Sequence, residues 1–491
     1  MKQCILHIQD EVNVKIEGLD LDARRTLVNK FKYDVPYARY LPAVRLGRWD
    51  GKVSFFQLGG STYVNLLPEI IPMLEQMDYD IELNDMREYS TTFNFTQVVE
   101  DTFADKTWPK GHPQEGQPVL LRDYQVEIIN NFLENPQCIQ EVATGAGKTL
   151  MTAALSRSVE QFGRSIVIVP NKSLVTQTEK DYINLGLDVG VYFGERKEWG
   201  RTHTICTWQS LNVLLKNTKA GTAAEDCTIT EFIEGVVCVM VDEVHMAKAD
   251  ALKTLLTGVM SQVPIRWGLT GTIPKEQFEF QALHVSLGPV VSKLAAAELQ
   301  QRGVLAQCHV NIVQLIDHVE YNNYQSELKY LLEETGRLDT MAELIARVNE
   351  TGNTLVLVDR IASGHALVER LGERAVFVSG ATKGTERQEH YDEVAEVSDK
   401  IIVATYGVAA VGINIPRIFN LVLVEPGKSF VRVIQSIGRG IRKAEDKDFV
   451  QIWDITSTCK FAKRHLTKRK QFYKEAQYPF TQEKLEWMQI K

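Results

Sequence analysis

At 491 residues the chain is too long for one core, so roughly two to four domains are expected. Its 44% hydrophobic and 24% charged content excludes a disordered chain. The net charge of −8 excludes a uniformly basic body, though a basic groove can sit on an acidic one. Seven scattered cysteines without a C-x-x-C pair argue against a disulfide framework or structural zinc and suit a reducing cytosol. No apolar run reaches spanning length, and Asp10 and Glu11 break the N-terminus before a signal-peptide core develops. A cytoplasmic protein without a membrane partner is expected.

Residues 1–90 read as a small α+β domain. Ile5-Leu-His-Ile8 and Val12-Asn-Val-Lys-Ile16 have strand patterns, and residues 20–31 and 66–77 have helical spacing. Between them, Arg39, Arg45, Arg48 and Lys52 are interleaved with Tyr40 and Trp49. Basic groups among rings are what binding to a nucleic-acid backbone requires. The competing structural reading is a hairpin turn at Asp50-Gly51 with Trp49 in the small core. Residues 91–119 include Trp108-Pro-Lys-Gly-His-Pro113 and Gly116-Gln-Pro118, show no period and read as a linker.

Residues 120–295 alternate short apolar runs with helical stretches, the strands including Ser165-Ile-Val-Ile-Val169, Thr202-His-Thr-Ile-Cys206, Val236-Val-Cys-Val-Met-Val241 and Ile265-Arg-Trp-Gly-Leu269. Near-continuous apolar strands between helices signify a buried parallel sheet. Residues 296–455 repeat the pattern with Thr354-Leu-Val-Leu-Val358, Ala375-Val-Phe-Val378, Lys400-Ile-Ile-Val-Ala404 and Leu421-Val-Leu-Val424. The fold class is α/β, two parallel-sheet domains in tandem. Residues 456–491 form a basic helical tail with Lys460, Lys463, Arg464, Lys468, Arg469, Lys470 and Lys474. That face is either solvated or in contact with nucleic acid.

The chemistry begins at Thr144-Gly-Ala-Gly-Lys-Thr149, which follows the run Cys138-Ile-Gln-Glu-Val142 and opens a helix. Gly145 and Gly147 let backbone amides, Ala146 included, turn towards phosphates; Lys148 reaches phosphate oxygens and Thr149 can ligate Mg²⁺. Val142 stands where the strict pattern has glycine. Downstream, an apolar strand ends in Asp242-Glu243-Val244-His245. Asp242 is placed to hold Mg²⁺ and Glu243 to polarise the attacking water. In the second sheet domain, Gln435-Ser-Ile-Gly-Arg-Gly-Ile-Arg442 puts Arg439 and Arg442 on one helix face, suited to stabilising charge on a transferring phosphate.

Taken in order, these segments resemble a superfamily 2 helicase core of two RecA-like domains. Leu121-Arg-Asp-Tyr-Gln125 resembles its adenine-reading motif, which implies that Arg122 and Gln125 bind the nucleotide. Val169-Pro-Asn-Lys-Ser-Leu-Val-Thr-Gln177 and Thr207-Trp-Gln-Ser-Leu211 are similar to strand-contacting motifs, implying DNA contacts at Ser173, Gln177, Thr207, Trp208 and Gln209. Leu269-Thr-Gly-Thr272 resembles the coupling motif, implying that Thr270 and Thr272, with His245, relay domain closure. Val403-Ala-Thr-Tyr-Gly-Val-Ala-Ala-Val-Gly-Ile-Asn414 matches a second-domain motif, implying a strand contact at Thr405 and a nucleotide contact at Gly412. Arg45-Leu-Gly-Arg-Trp-Asp-Gly51, with the phosphate loop and Thr207-Trp-Gln209, is similar to the phage UvsW-type helicases.

That resemblance implies an ATP- and Mg²⁺-dependent motor, acting as a monomer on forks, Holliday junctions and R-loops (an RNA–DNA hybrid) while tracking a single strand. It also implies that residues 1–90 bind DNA, by the arginines with Trp49 and Lys52, and that the protein works in a bacterial host's cytoplasm. Val142, Asn414 and the form of residues 242–245 depart from the DEAD-box RNA helicases. Two other readings are a duplex translocase that does not separate strands and an ATP-switched annealing protein.

Overall fold

The computed structural model describes the chain apart from residues 1, 89–92, 111, 113, 223–226, 245–248, 383, 409–414, 416, 429–436, 439–440, 442–446 and 488–491. Two compact units emerge: Met1–Val142 with Gly147–Lys293, and Ala143–Ala146 with Leu294–Lys491.

The first unit opens with β1 (Lys2–Ile8), β2 (Asn13–Glu17), α1 (Leu21–Lys30), β3 (Lys32–Asp34), α2 (Pro42–Arg45), β4 (Lys52–Ser54), β5 (Ser61–Tyr63), α3 (Leu67–Gln76) and β6 (Tyr79–Asp85). Along β1 and β2 every second residue is buried (Cys4, Leu6, Ile8; Val14, Ile16), so one sheet face becomes core. The four-stranded sheet runs β5-β2-β1-β6, with β1 antiparallel to β2 and parallel to β6. The Asp20 carboxylate caps α1 by accepting the Ala23 N–H at 2.9 Å. β3 and β4 pair separately as an antiparallel ribbon. Residues 35–51 leave this ribbon as an excursion, closed at its neck where the Val35 N–H donates to the Gly51 carbonyl at 2.9 Å.

The described residues of 93–119, read from sequence within a linker, belong to the first unit and pack within it. Phe93 and Phe95 meet the Phe162 ring edge-on at centroid distances of 5.2 Å. Val98 exchanges two backbone hydrogen bonds with the Asn130 side chain, and Phe103 is fully buried. Isolated aromatic anchors, rather than a period, hold the segment in place.

The first RecA-like domain follows as α4 (Asp123–Glu134), β7 (Gln137–Val142), α5 (Lys148–Val159), β8 (Arg164–Val169), α6 (Lys172–Asn184), β9 (Val189–Phe193), β10 (Arg196–Lys197), β11 (His203–Thr207), α7 (Trp208–Ala220), α8 (Ile229–Ile233), β12 (Val236–Asp242), α9 (Ala249–Thr257), β13 (Ile265–Thr270), α10 (Gln277–Leu287) and β14 (Val290–Leu294). The sheet order is β10-β9-β11-β8-β12-β13-β7-β14, parallel from β9 to β7. Strands such as β11 and β13 are buried along their whole length, as helices on both faces require.

The second unit contains α11 (Ala296–Gln301), β15 (Gln307–Leu315), α12 (Tyr324–Glu333), α13 (Thr335–Asn349), β16 (Thr354–Val358), α14 (Ile361–Leu371), β17 (Ala375–Val378), α15 (Gly384–Glu396), β18 (Ile401–Thr405), β19 (Asn420–Val424), β20 (Phe449–Ser457), α16 (Lys460–Glu475) and β21 (Phe480–Leu485). Its seven strands, ordered β17-β18-β16-β19-β20-β15-β21, are all parallel. The basic tail is helical over α16, yet it does not hang free. β21 extends the sheet beside β15, and Trp487 enters the core and donates to Asp317 at 2.9 Å. Arg469 is not part of a solvated face: it is buried and grips Asp454 on β20 through two bonds of 2.8 and 2.9 Å.

Candidate nucleotide site and nucleic-acid surface

The motif-bearing strands of the first RecA-like sheet run parallel and end at one edge, so the loops beyond their ends gather the chemistry. β7 ends at buried Val142, and the chain then turns through Gly145 (φ 93°) and Gly147 (φ 84°). Both lie in the left-handed region that L side chains resist. A Cβ at Gly147 would also stand 2.5 Å from the Gln125 amide nitrogen, so glycine is required there by conformation and by space. Gly147 is the N-cap of α5 and makes no side-chain cap, which leaves the helix's first amides to an incoming anion.

Lys148 and Glu243 are both buried and meet at 2.6 Å. Only β13 lies between β7 and β12, which brings the phosphate loop and the acidic strand end together. Glu243 adopts φ 51°, a strained turn for a residue with a side chain. Its N–H donates to Asp242 Oδ1 at 2.9 Å. The Gly271 N–H reaches the second Glu243 oxygen at 3.4 Å, so the loop after β13 touches the acidic residue directly. That loop is held by Thr270, whose buried hydroxyl donates to the Thr272 carbonyl at 2.8 Å. Gly271 was not singled out in the sequence; its position between Thr270 and Thr272 was the available signal.

Gln125 is buried at the start of α4. Its Oε1 accepts the Arg122 N–H at 2.9 Å, with the amide nitrogen turned to Gly147. The exposed Arg122 donates to the Tyr124 hydroxyl at 3.1 Å. Thr149 opens α5 beside Lys148. Among the described residues no three His, Cys, Asp or Glu side chains gather as a metal cluster.

β8 and β11 are adjacent and parallel, with Val169 opposite Thr207, so α6 and α7 begin side by side. Ser173, Gln177 and Gln209 are exposed there. Thr207 is buried and engaged as the α7 cap, accepting the Ser210 N–H at 3.3 Å. Trp208, expected at a strand, packs partly against the hydrophobic core of the sheet. Thr405 closes β18, half-buried.

On the 35–51 excursion, Arg39, Tyr40, Arg45 and Arg48 are exposed, and the Arg39 guanidinium lies 4.7 Å from the Tyr40 ring centroid. Trp49 differs: its indole donates to the Lys52 carbonyl at 2.8 Å and its ring packs on the N-terminal core. Trp49 thus meets the small core, but residues 35–51 form an excursion rather than a hairpin turn at Asp50-Gly51, and Lys52 stays exposed. His245, Gly412, Gln435, Arg439 and Arg442 lie outside the described residues.

Residues 119–275 match the family described as Type III restriction enzyme, res subunit, and residues 336–444 match the helicase conserved C-terminal domain. The two families fall on the two RecA-like sheets in the order the motifs predict. The chain belongs to the superfamily 2 helicases, and is an ATP-hydrolysing enzyme. This helicase is similar to the ATP-dependent DNA helicase uvsW of Enterobacteria phage T4, 23% identical over 480 residues that cover 92% of this chain and 90% of that protein. It is also similar to the DNA 3′-5′ helicase XPB of Kineococcus radiotolerans, 24% identical over 372 residues, 73% of this chain and 64% of that one. Among solved structures, the HsdR-subunit fragment of a type I restriction enzyme from Vibrio vulnificus has a TM-score of 0.56 at 17% identity, covering 74% of this chain and 69% of that fragment. The Type ISP restriction-modification enzyme LlaBIII bound to DNA also has a TM-score of 0.56, at 14% identity over 86% of this chain and 36% of that one. Both support the tandem fold. No helix among the described residues is long and apolar enough to cross a membrane.

Proposed function

We propose that this helicase uses ATP to unwind and remodel branched DNA (forks, Holliday junctions and R-loops) in recombination, repair and replication control. The observation that carries the reading is the exposed excursion bearing Arg39, Tyr40, Arg45 and Arg48, built into the same compact unit as the Lys148–Glu243 site. The likeness to a phage DNA helicase along nearly the whole chain supports it, as does the departure of residues 242–245 from the DEAD-box form.

In this reading the amides of residues 144–147 and the Lys148 ammonium hold ATP phosphates, and Arg122 and Gln125 face the base. Mg²⁺ would be shared by Thr149 and Asp242 with phosphate oxygens, where it neutralises charge on the transferring group. The donor set fits, being one hydroxyl and one carboxylate beside a helix N-terminus. Glu243 leaves Lys148 to polarise the attacking water, and Gln435, Arg439, Arg442 and Gly412 take the nucleotide-contacting and charge-stabilising roles of the motifs they stand in. Ser173, Gln177, Gln209 and Thr405 hold strand phosphates without reading sequence, with Thr207 and Trp208 shaping the surface beneath. Thr270 and Thr272, with His245, transmit hydrolysis to the grip. The protein acts as a monomer in a phage-infected bacterial cytoplasm.

The test is unwinding of a labelled fork by wild type and by Glu243→Gln. The variant should bind ATP and fork yet release no strand; unwinding at the wild-type rate would remove Glu243 from the reaction. A second reading, duplex translocation without strand separation, is favoured by the restriction-enzyme family match over residues 119–275. A fork carrying a blocked strand discriminates, since a strand-tracking motor stalls at the block and a duplex translocase displaces a bound triplex strand without unwinding.

A further inference from the structure

The N-terminal domain meets both helices that follow the two hydrolysis motifs, sharing its core with α10 and touching α9 through side chains. α9 follows Asp242-Glu243, and α10 follows Thr270-Gly-Thr272. Phe278, Ala282 and Val285 of α10 are buried in one cluster with Phe55, Phe56, Leu66 and Leu67, and the Phe55 and Phe278 ring centroids are 5.9 Å apart. From α9, the Lys253 ammonium stands 5.1 Å from the Phe55 ring centroid and 5.9 Å from that of Tyr63. The Tyr37 hydroxyl donates to the Asp250 carboxylate. The Asn13 amide donates to the Thr257 carbonyl at 3.0 Å, at the far end of α9.

β13 ties these helices to the catalytic edge. Its Arg266 is fully buried and donates to the carbonyls of Leu256, Met260 (2.7 Å) and Ser286 (2.8 Å), so it binds the last turns of α9 and α10 together. The same strand ends at Thr270, one residue before the Gly271 N–H that reaches Glu243. At the other side, Tyr37 belongs to the excursion that exposes Arg39, Tyr40, Arg45 and Arg48. A continuous chain of contacts therefore runs from that excursion to the hydrolytic carboxylate.

We infer that Tyr37, Asp250 and Lys253 are positioning residues that pass the state of DNA on the 35–51 excursion to Glu243 through α9 and α10. The inference rests on the reading that the excursion binds DNA. It makes the N-terminal domain a sensor wired to hydrolysis rather than a tether that only raises local DNA concentration, and the coupling is a difference in turnover, not in binding.

The experiment uses the full chain with Tyr37→Phe combined with Lys253→Met, and separately Asp250→Asn. Three quantities are measured: fork affinity by anisotropy, ATP hydrolysis without DNA, and kcat at saturating fork. The double variant should keep wild-type basal hydrolysis, fork affinity and melting temperature while fork-stimulated kcat falls about fivefold or more. Asp250→Asn, which keeps an acceptor for Tyr37, should retain most of the stimulation. Full stimulation in the double variant overturns the coupling. So does a basal rate or melting temperature that falls in step with the stimulated rate, which marks a mere brace. Arg45→Ala with Arg48→Ala separates the underlying reading: unchanged fork affinity there sinks the DNA surface itself, whereas weakened affinity beside an unaffected double variant sinks only the coupling.

Discussion

Gly147 carries two constraints at one residue, a left-handed backbone and the Gln125 amide at 2.5 Å from where a Cβ would lie. Gly147→Ala is expected to displace Gln125 and the loop together, raising KM for ATP tenfold or more, about 1.4 kcal/mol or more of lost binding. Steady-state kinetics check it, and an unaltered KM would mean that the loop takes another course when ATP is present. The motif Gly-Ala-Gly-Lys-Thr made this site legible from sequence because its amide and lysine chemistry is local. The Glu243 turn and the Gly271 contact were less so, since neither follows from the pattern of neighbours. A second single-residue effect concerns pH. Burial, with Arg469, Lys428 and Lys468 nearby, pushes His465 down to about 4 from an ordinary value of 6.5. The unfolded chain then binds more protons than the folded one between those values, so His465 contributes stability above pH 6.5 that is lost as pH falls towards 4. Denaturant midpoints at pH 7 and pH 5 should differ less in His465→Gln than in the wild type; an equal difference would place the pH dependence elsewhere.

Elements show where sequence reading succeeds and stops. The central strands β8, β12, β13, β16 and β19 were legible because burial on both faces makes them continuous apolar runs. β3 and β5, of three residues each, hold too few positions to set an alternation. β21 reads Phe-Thr-Gln-Glu-Lys-Leu because it is an exposed sheet edge, and a polar strand after a basic helix resembles a tail. Arg469 was placed with the other tail cations for the same reason: sequence cannot tell a buried guanidinium from a solvated one until Asp454 is set opposite it. Arg469→Met leaves the Asp454 carboxylate and the Tyr473 hydroxyl that donates to it at 2.7 Å without their cation. Removing one member of a buried pair costs about 3–5 kcal/mol, so unfolding of the second unit should shift accordingly in urea. A change within error would show that water reaches Asp454. In α10, Phe278→Ala empties a site shared with the N-terminal core and should cost about 3–5 kcal/mol, seen as earlier unfolding of the first unit.

For the molecule as a whole, the shared core changes what deletion experiments mean. Removing residues 1–90 uncovers Phe278, Ala282 and Val285, so it should lower stability as well as fork affinity; surface variants at Arg45 and Arg48 isolate the affinity. Composition pointed only to a multidomain globular chain, and the ordered motifs led from there to a superfamily 2 helicase, which the two family matches bear out. We propose that the Lys148–Glu243 site drives a motor that recognises branched DNA. It is tested most directly by steady-state ATP hydrolysis with no nucleic acid, single-stranded DNA, forked DNA, an R-loop and RNA, with Lys148→Ala alongside. Hydrolysis should rise most with the fork and the R-loop and vanish in the variant; equal rates under all five conditions would mean that nucleic acid does not drive this site.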